Sequence, residues 1–142
     1  MAAMNDRREF LAAGLAGLAA SLMTTGEAGA APTVRTIAQK DAPKINLDGW
    51  QMTATEVSYA PGDSSARHRH PGFVVGYVLE GQYRFAVNDQ PPTVLSAGQV
   101  FFESFDAPGD VHAVSGNASM TQPTRILAMV FTKKGDQVTV PV

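Results

Sequence analysis

After residue 50 this sequence never runs far without a turn signal. Pro61-Gly62-Asp63, Glu80-Gly81, Asn88-Asp89-Gln90-Pro91-Pro92, Ala97-Gly98, Pro108-Gly109 and Gly135-Asp136 cut it into short pieces. The pieces, residues 51–59, 73–79, 82–87, 93–95, 100–102, 112–114, 125–131 and 137–140, are rich in Val, Phe, Tyr, Ile and Thr, which suit a pleated, half-buried surface. None of them carries a helical period over ten or more residues. Many short strands separated by turns predict an all-β sandwich or barrel.

At 142 residues the chain has room for one core and one site. It has no cysteine, so disulfides and thiolate metal sites are excluded, and any metal must be held by His, Asp or Glu. The formal net charge is −2, without runs of Lys or Arg, which argues against nucleic acid or an anionic membrane surface as partner. A small-molecule ligand or substrate fits this balance better.

Residues 1–30 read as an export signal rather than as part of the fold. Arg7-Arg8 precedes Glu9-Phe10-Leu11, an Ala/Leu/Gly-rich stretch over residues 12–23 and then Ala28-Gly29-Ala30, a small-residue cleavage signal. This arrangement resembles a twin-arginine signal peptide, with Asp6 and Ala12 departing from the usual pattern. Met4 offers an alternative start to Met1. The apolar stretch is shorter than the ~20 residues a spanning helix needs, so no stable membrane span is expected after processing. The expectation is a periplasmic or otherwise exported protein. It has an N-terminal arm over residues 31–46, with prolines at 32 and 43, and a single β domain over residues 47–142.

Three histidines carry the sharpest chemistry. His68 and His70 flank Arg69, and on a strand residues i and i+2 share one face, so both imidazoles point one way while Arg67 and Arg69 point the other. Two imidazoles on one face can take adjacent positions on a divalent transition metal, and His112 is the remaining histidine able to complete a triad. Taken alone, H-R-H also fits a basic surface loop.

The spacing around these histidines resembles the cupin superfamily, in particular its small single-domain, quercetin-dioxygenase-like (type 2) barrels. Gly62, five residues, His68-Arg69-His70, three residues, Val74, six residues and Gly81 follow the first cupin motif, with Val74 where the motif has glutamate. Gly98, then Gly109-Asp110-Val111-His112, follow the second, with Pro108 one place late, a longer gap after Gly98, and Asn117 one residue late. The resemblance spans residues 47–132 and puts all three histidines on ligand positions. It implies a double-stranded β-helix (jelly-roll) barrel with His68, His70 and His112 facing inward around a metal. It also leaves room for a homodimer formed by sheet contacts.

Three neutral imidazoles without a carboxylate would leave the ion's full charge on the site and free one more coordination position. Three-His iron sites are similar to those of thiol and diketone dioxygenases, so oxygenase chemistry leads. Fe is the first choice of metal, with Zn, Mn, Ni and Cu as alternatives. Zinc on the same ligands would support a hydrolase or lyase. A barrel that binds a small ligand without turnover is the third reading.

No catalytic residue is assigned. Glu80 and Glu103 read as solvated turn residues, and no G-x-S-x-G element, phosphate loop or dinucleotide fingerprint is present. By strand phase Val74, Gly76 and Val78 continue the histidine face, where Val74 would narrow and dry the mouth of the site, and Phe73, Val75 and Tyr77 oppose it. Tyr83, Phe85, Phe101, Phe102, Met120 and Met129 are expected in the core, with Trp50 plugging it near the first strand. Arg67 and Arg69 are expected on the surface, their stems covering the sheet.

Overall fold

The computed structural model describes residues 31–104 and 109–142. In chain order the strands are β1 (Trp50–Tyr59), β2 (His68–Arg69), β3 (Gly72–Glu80), β4 (Gln82–Val87), β5 (Thr93–Ser96), β6 (Val100–Glu103), β7 (Val111–Asn117), β8 (Thr124–Lys133) and β9 (Val140–Pro141). No helix occurs among the described residues, and none therefore is long and apolar enough to cross a membrane.

The strands form two antiparallel sheets, ordered β1-β8-β3-β6 and β5-β4-β7-β2-β9. Consecutive strands mostly pair with distant ones, as when β1 runs the full length of β8 from Trp50↔Lys133 to Tyr59↔Thr124. This is the expected all-β, double-stranded β-helix. Residues Arg35–Val142 make one compact unit. Residues 31–48 form no strand, and Lys40 Nζ of this arm lies 5.8 Å from the ring centre of Phe102 on β6. The leader expected over residues 1–30 and the turn residue Pro108 lie outside the described residues.

Period-two alternation decides what is inside. On β3, Val74 and Val78 are buried while Phe73, Val75 and Tyr77 are only partly covered, as their phase predicts. The core comprises Tyr59, Val74, Val78, Tyr83, Phe101, Ile126 and Val130. Each such side chain contributes about 1.5–3 kcal/mol through removal from water. Gly76 pairs with Phe101, and a Cβ on Gly76 would fall 1.9 Å from that ring. Glycine there lets the Phe101 ring lie flat across β3.

The core expectation holds for Tyr83 and Phe101, and Phe85 packs against the cluster. It fails for Met120, which is 77% exposed in the turn after β7. Phe102 and Met129 are partly exposed, because their neighbours Phe101 and Val130 take the inward phase. Trp50 is no core plug. It joins Phe73, 6.1 Å between ring centres, and Phe73 stacks on Phe131 at 4.5 Å, on the outer face of the first sheet. The strand expected over residues 137–140 shrinks to Val140–Pro141.

Candidate metal centre

The triad is assembled by the shortest strand. β2 lies between β7 and β9, with His68 opposite both His112 and Pro141, so the pairing itself brings two histidines from distant parts of the chain side by side. His70 follows directly. The ring centres of His68 and His70 are 5.0 Å apart, and those of His68 and His112 are 4.8 Å apart. One nitrogen from each of the three rings lies within 4.8 Å of the others. His70 and His112 are buried and His68 is half-buried.

Hydrogen bonds fix which nitrogen is offered. His68 Nδ1 donates to the Ala66 carbonyl at 2.8 Å and His70 Nδ1 donates to the Val138 carbonyl at 2.6 Å, which leaves both Nε2 lone pairs for the interior. His112 is held from its other nitrogen, Nε2, which lies 3.1 Å from the Tyr83 hydroxyl. Tyr83 continues to Ser115 at 2.7 Å, Ser115 to Tyr59 at 2.8 Å, and Tyr59 to Ser65 at 2.9 Å. A chain of hydroxyls thus ties His112 to the exposed turn before β2. Burial pushes the Tyr83 phenol well above its ordinary pKa, so it stays protonated; it can accept from His112 Nε2–H while donating to Ser115, the arrangement that leaves the lone pair on His112 Nδ1.

His112 and Ser115 both face inward although three residues apart, which a regular strand forbids. The β4–β7 register supplies the reason: Ala86 pairs with Val114 but Val87 pairs with His112. This bulge turns His112 toward the site. Burial lowers the pKa of His68 below its ordinary value, opposed by the Ala66 hydrogen bond and aided by the neighbouring His112 and His70. The neutral imidazole that binds metals is therefore the favoured form.

The expectation of a carboxylate-free site is corrected by Glu103. It is 3% exposed, not a solvated turn residue, with Oε1 3.0 Å from His112 Nδ1 and Oε2 3.9 Å from His70 Nε2. β6 extends one residue further than expected, so Glu103 shares the inward phase of Phe101. Beyond it, Asp110 accepts from the Ser104 amide at 2.6 Å and clamps the end of the strand. The V-F-F-E alternation carried this signal. Glu80 is exposed as expected and pairs with Arg125 at 3.3 Å.

The histidines and Glu103 line a cavity of about 390 Å³, walled by Val57, Ile126, Ala128 and Val130 among others. Val74 does not line it. That residue is buried in the core and so does not shape the mouth. Arg67 does line the cavity, as an exposed residue, contrary to its expected place on the opposite face. Strand geometry begins only at His68, so the phase argument does not reach Arg67. Arg69 does turn away, its Nε donating to the Gly109 carbonyl at 3.3 Å. Asn117, the late motif residue, is structural. Its amide donates to the carbonyls of Ala60 and Gln122.

Residues 55–130 match the family described as "Cupin domain" (Cupin_2), more than half of the chain. The chain belongs to the cupin family. Among solved structures this cupin is similar to the DMSP lyase DddQ from Ruegeria pomeroyi DSS-3, at 23% identity and a TM-score of 0.52, covering 64% of this chain and 43% of that one. It is similar to an oxalate oxidase in complex with the substrate analogue glycolate, at 19% identity and a TM-score of 0.52, covering 82% and 66% of the two chains. A further oxalate oxidase structure gives 20% identity and a TM-score of 0.52, covering 90% and 75%. The cupin spans less than half the length of the lyase. At these identities the likeness is one of fold. No curated protein matches the sequence.

Proposed function

We propose that this exported cupin holds one divalent transition metal, iron first, on His68, His70 and His112, and acts on a small anionic molecule with dioxygen as co-substrate. The observation that carries this reading is the convergence of three imidazoles whose far nitrogens are each fixed by a hydrogen bond. When bound, the ion supplies Lewis acidity and, as iron, the redox chemistry that dioxygen needs. The chain's own residues do the rest. Arg67 at the cavity attracts an anion, and the aliphatic wall keeps water away from it. Structural neighbours named for small-molecule chemistry, oxalate oxidase and DMSP lyase, are in keeping with such a ligand.

Elemental analysis of protein from the exported pool, beside a His68→Ala/His70→Ala variant, tests the site. Oxygen uptake is then followed with small carboxylates, thiols and diketones. Iron in the wild type, absent from the variant, with uptake abolished by His112→Ala, is the expected result. Zinc with turnover independent of oxygen would shift the reading to a hydrolase or lyase, and saturable binding without turnover to a ligand-binding barrel.

A further inference from the structure

We infer that Glu103 is a fourth metal ligand, delivered by β6 into the place that β3 leaves apolar at Val74. The inference rests on the metal-binding reading above and adds to it a ligand that the first-motif spacing does not supply.

Two buried polar atoms at the site have no hydrogen-bond partner: Glu103 Oε2 and His112 Nδ1. His112 Nδ1 is nevertheless only 3.0 Å from Glu103 Oε1, a separation that would suit a hydrogen bond if the groups were aligned for one. They are near each other without being aimed at each other. Adjacent ligands on an octahedral first-row ion, each about 2.1 Å from it, stand about 3.0 Å apart, so this spacing is that of two groups facing a common ion. The other carboxylate oxygen lies 3.9 Å from His70 Nε2, the nitrogen that the Val138 carbonyl leaves free.

A carboxylate that is 3% exposed, has one oxygen without a hydrogen-bond partner and faces only histidine nitrogens is costly to bury, and a cation held between these groups would remove that cost. The positioning is structural. Val74 and Glu103 are direct partners across β3 and β6 and both face inward; Val74 itself stops short of the cavity, but a longer acidic side chain at that position would start beside Glu103. The Ser104–Asp110 hydrogen bond holds the end of β6 and with it the Glu103 backbone. Tyr83 occupies Nε2 of His112, which leaves Nδ1 as the nitrogen on the Glu103 side.

The test is Co(II) titration of the chelator-stripped protein, followed by calorimetry and by the visible d–d bands of the bound ion. Wild type, Glu103→Gln, Glu103→Ala, His112→Ala and the double variant Val74→Glu/Glu103→Gln are compared, with far-UV circular dichroism of each metal-free protein as the folding control. Expected are at least tenfold weaker binding and shifted bands in Glu103→Gln and Glu103→Ala, and recovery of tight binding in the double variant. Wild-type affinity and unchanged bands in both single Glu103 variants, with His112→Ala still losing the metal, would overturn Glu103 as a ligand and leave the triad standing. A wild-type protein that takes up no Co(II) overturns the metal reading itself. Should Glu103→Gln not fold, the same comparison is made with Glu103→Ala and the double variant.

Discussion

Tyr83 shows how much one hydroxyl can organise. Fully buried, it bonds both His112 and Ser115, and its ring packs 5.0 Å from that of Phe101. Tyr83→Phe keeps the ring and deletes the bond that fixes His112. Metal affinity is expected to fall about 10–100-fold, the range for loss of a group supporting a ligand. Stability is expected to drop by about 1–3 kcal/mol from the unpaired buried groups. Calorimetric metal titration and urea unfolding measure the two effects separately. At this scale the histidines were legible in the sequence: H-x-H declares its shared face, and only one other histidine exists. Glu103 was misplaced, because the strand was expected to end at Phe102 and leave the acid in a solvated turn, whereas β6 runs one residue further and its alternation turns Glu103 inward. Tyr83 read as core, which it is. Its hydroxyl's partners depend on a contact between β4 and β7 that no local pattern encodes.

Among the elements, β3 and β6 depend on a glycine. The Phe101 ring occupies the space a side chain on Gly76 would need, and Tyr83 and Phe85 pack against that ring 5.0 Å away, so moving it disturbs both. Gly76→Ala is expected to cost about 1–3 kcal/mol by overpacking, read as a lower thermal midpoint, and Phe101→Leu in the same chain should recover part of the loss. Strands β1 and β3 to β8 were legible because turn residues bound stretches rich in β-branched and aromatic side chains. β2 and β9, two residues each, are shorter than the strands expected around His68 and over 137–140; they exist because β2 pairs with β7 and β9 with β2. The inward turn of His112 was expected from the family resemblance, but the bulge that produces it was not, since strict alternation breaks there.

For the whole molecule, one compact unit over Arg35–Val142 contains every residue of the candidate centre. In the export proposed above, the Arg7-Arg8 pair would be the feature recognised. Replacing both arginines by lysine preserves charge but not the guanidinium fork. Fractionation of cells expressing this variant is expected to show the full-length chain retained inside, while the wild type appears shortened in the exported fraction. The pairing of Val74 with Glu103 has a wider consequence. Because the two positions form one rung of the ladder between β3 and β6, an acid can change strands and still start within about 5 Å of its former place. A barrel scored only along its strands is then counted as having lost a carboxylate that it still owns, so relatives with an apolar residue in the first motif are better surveyed rung by rung.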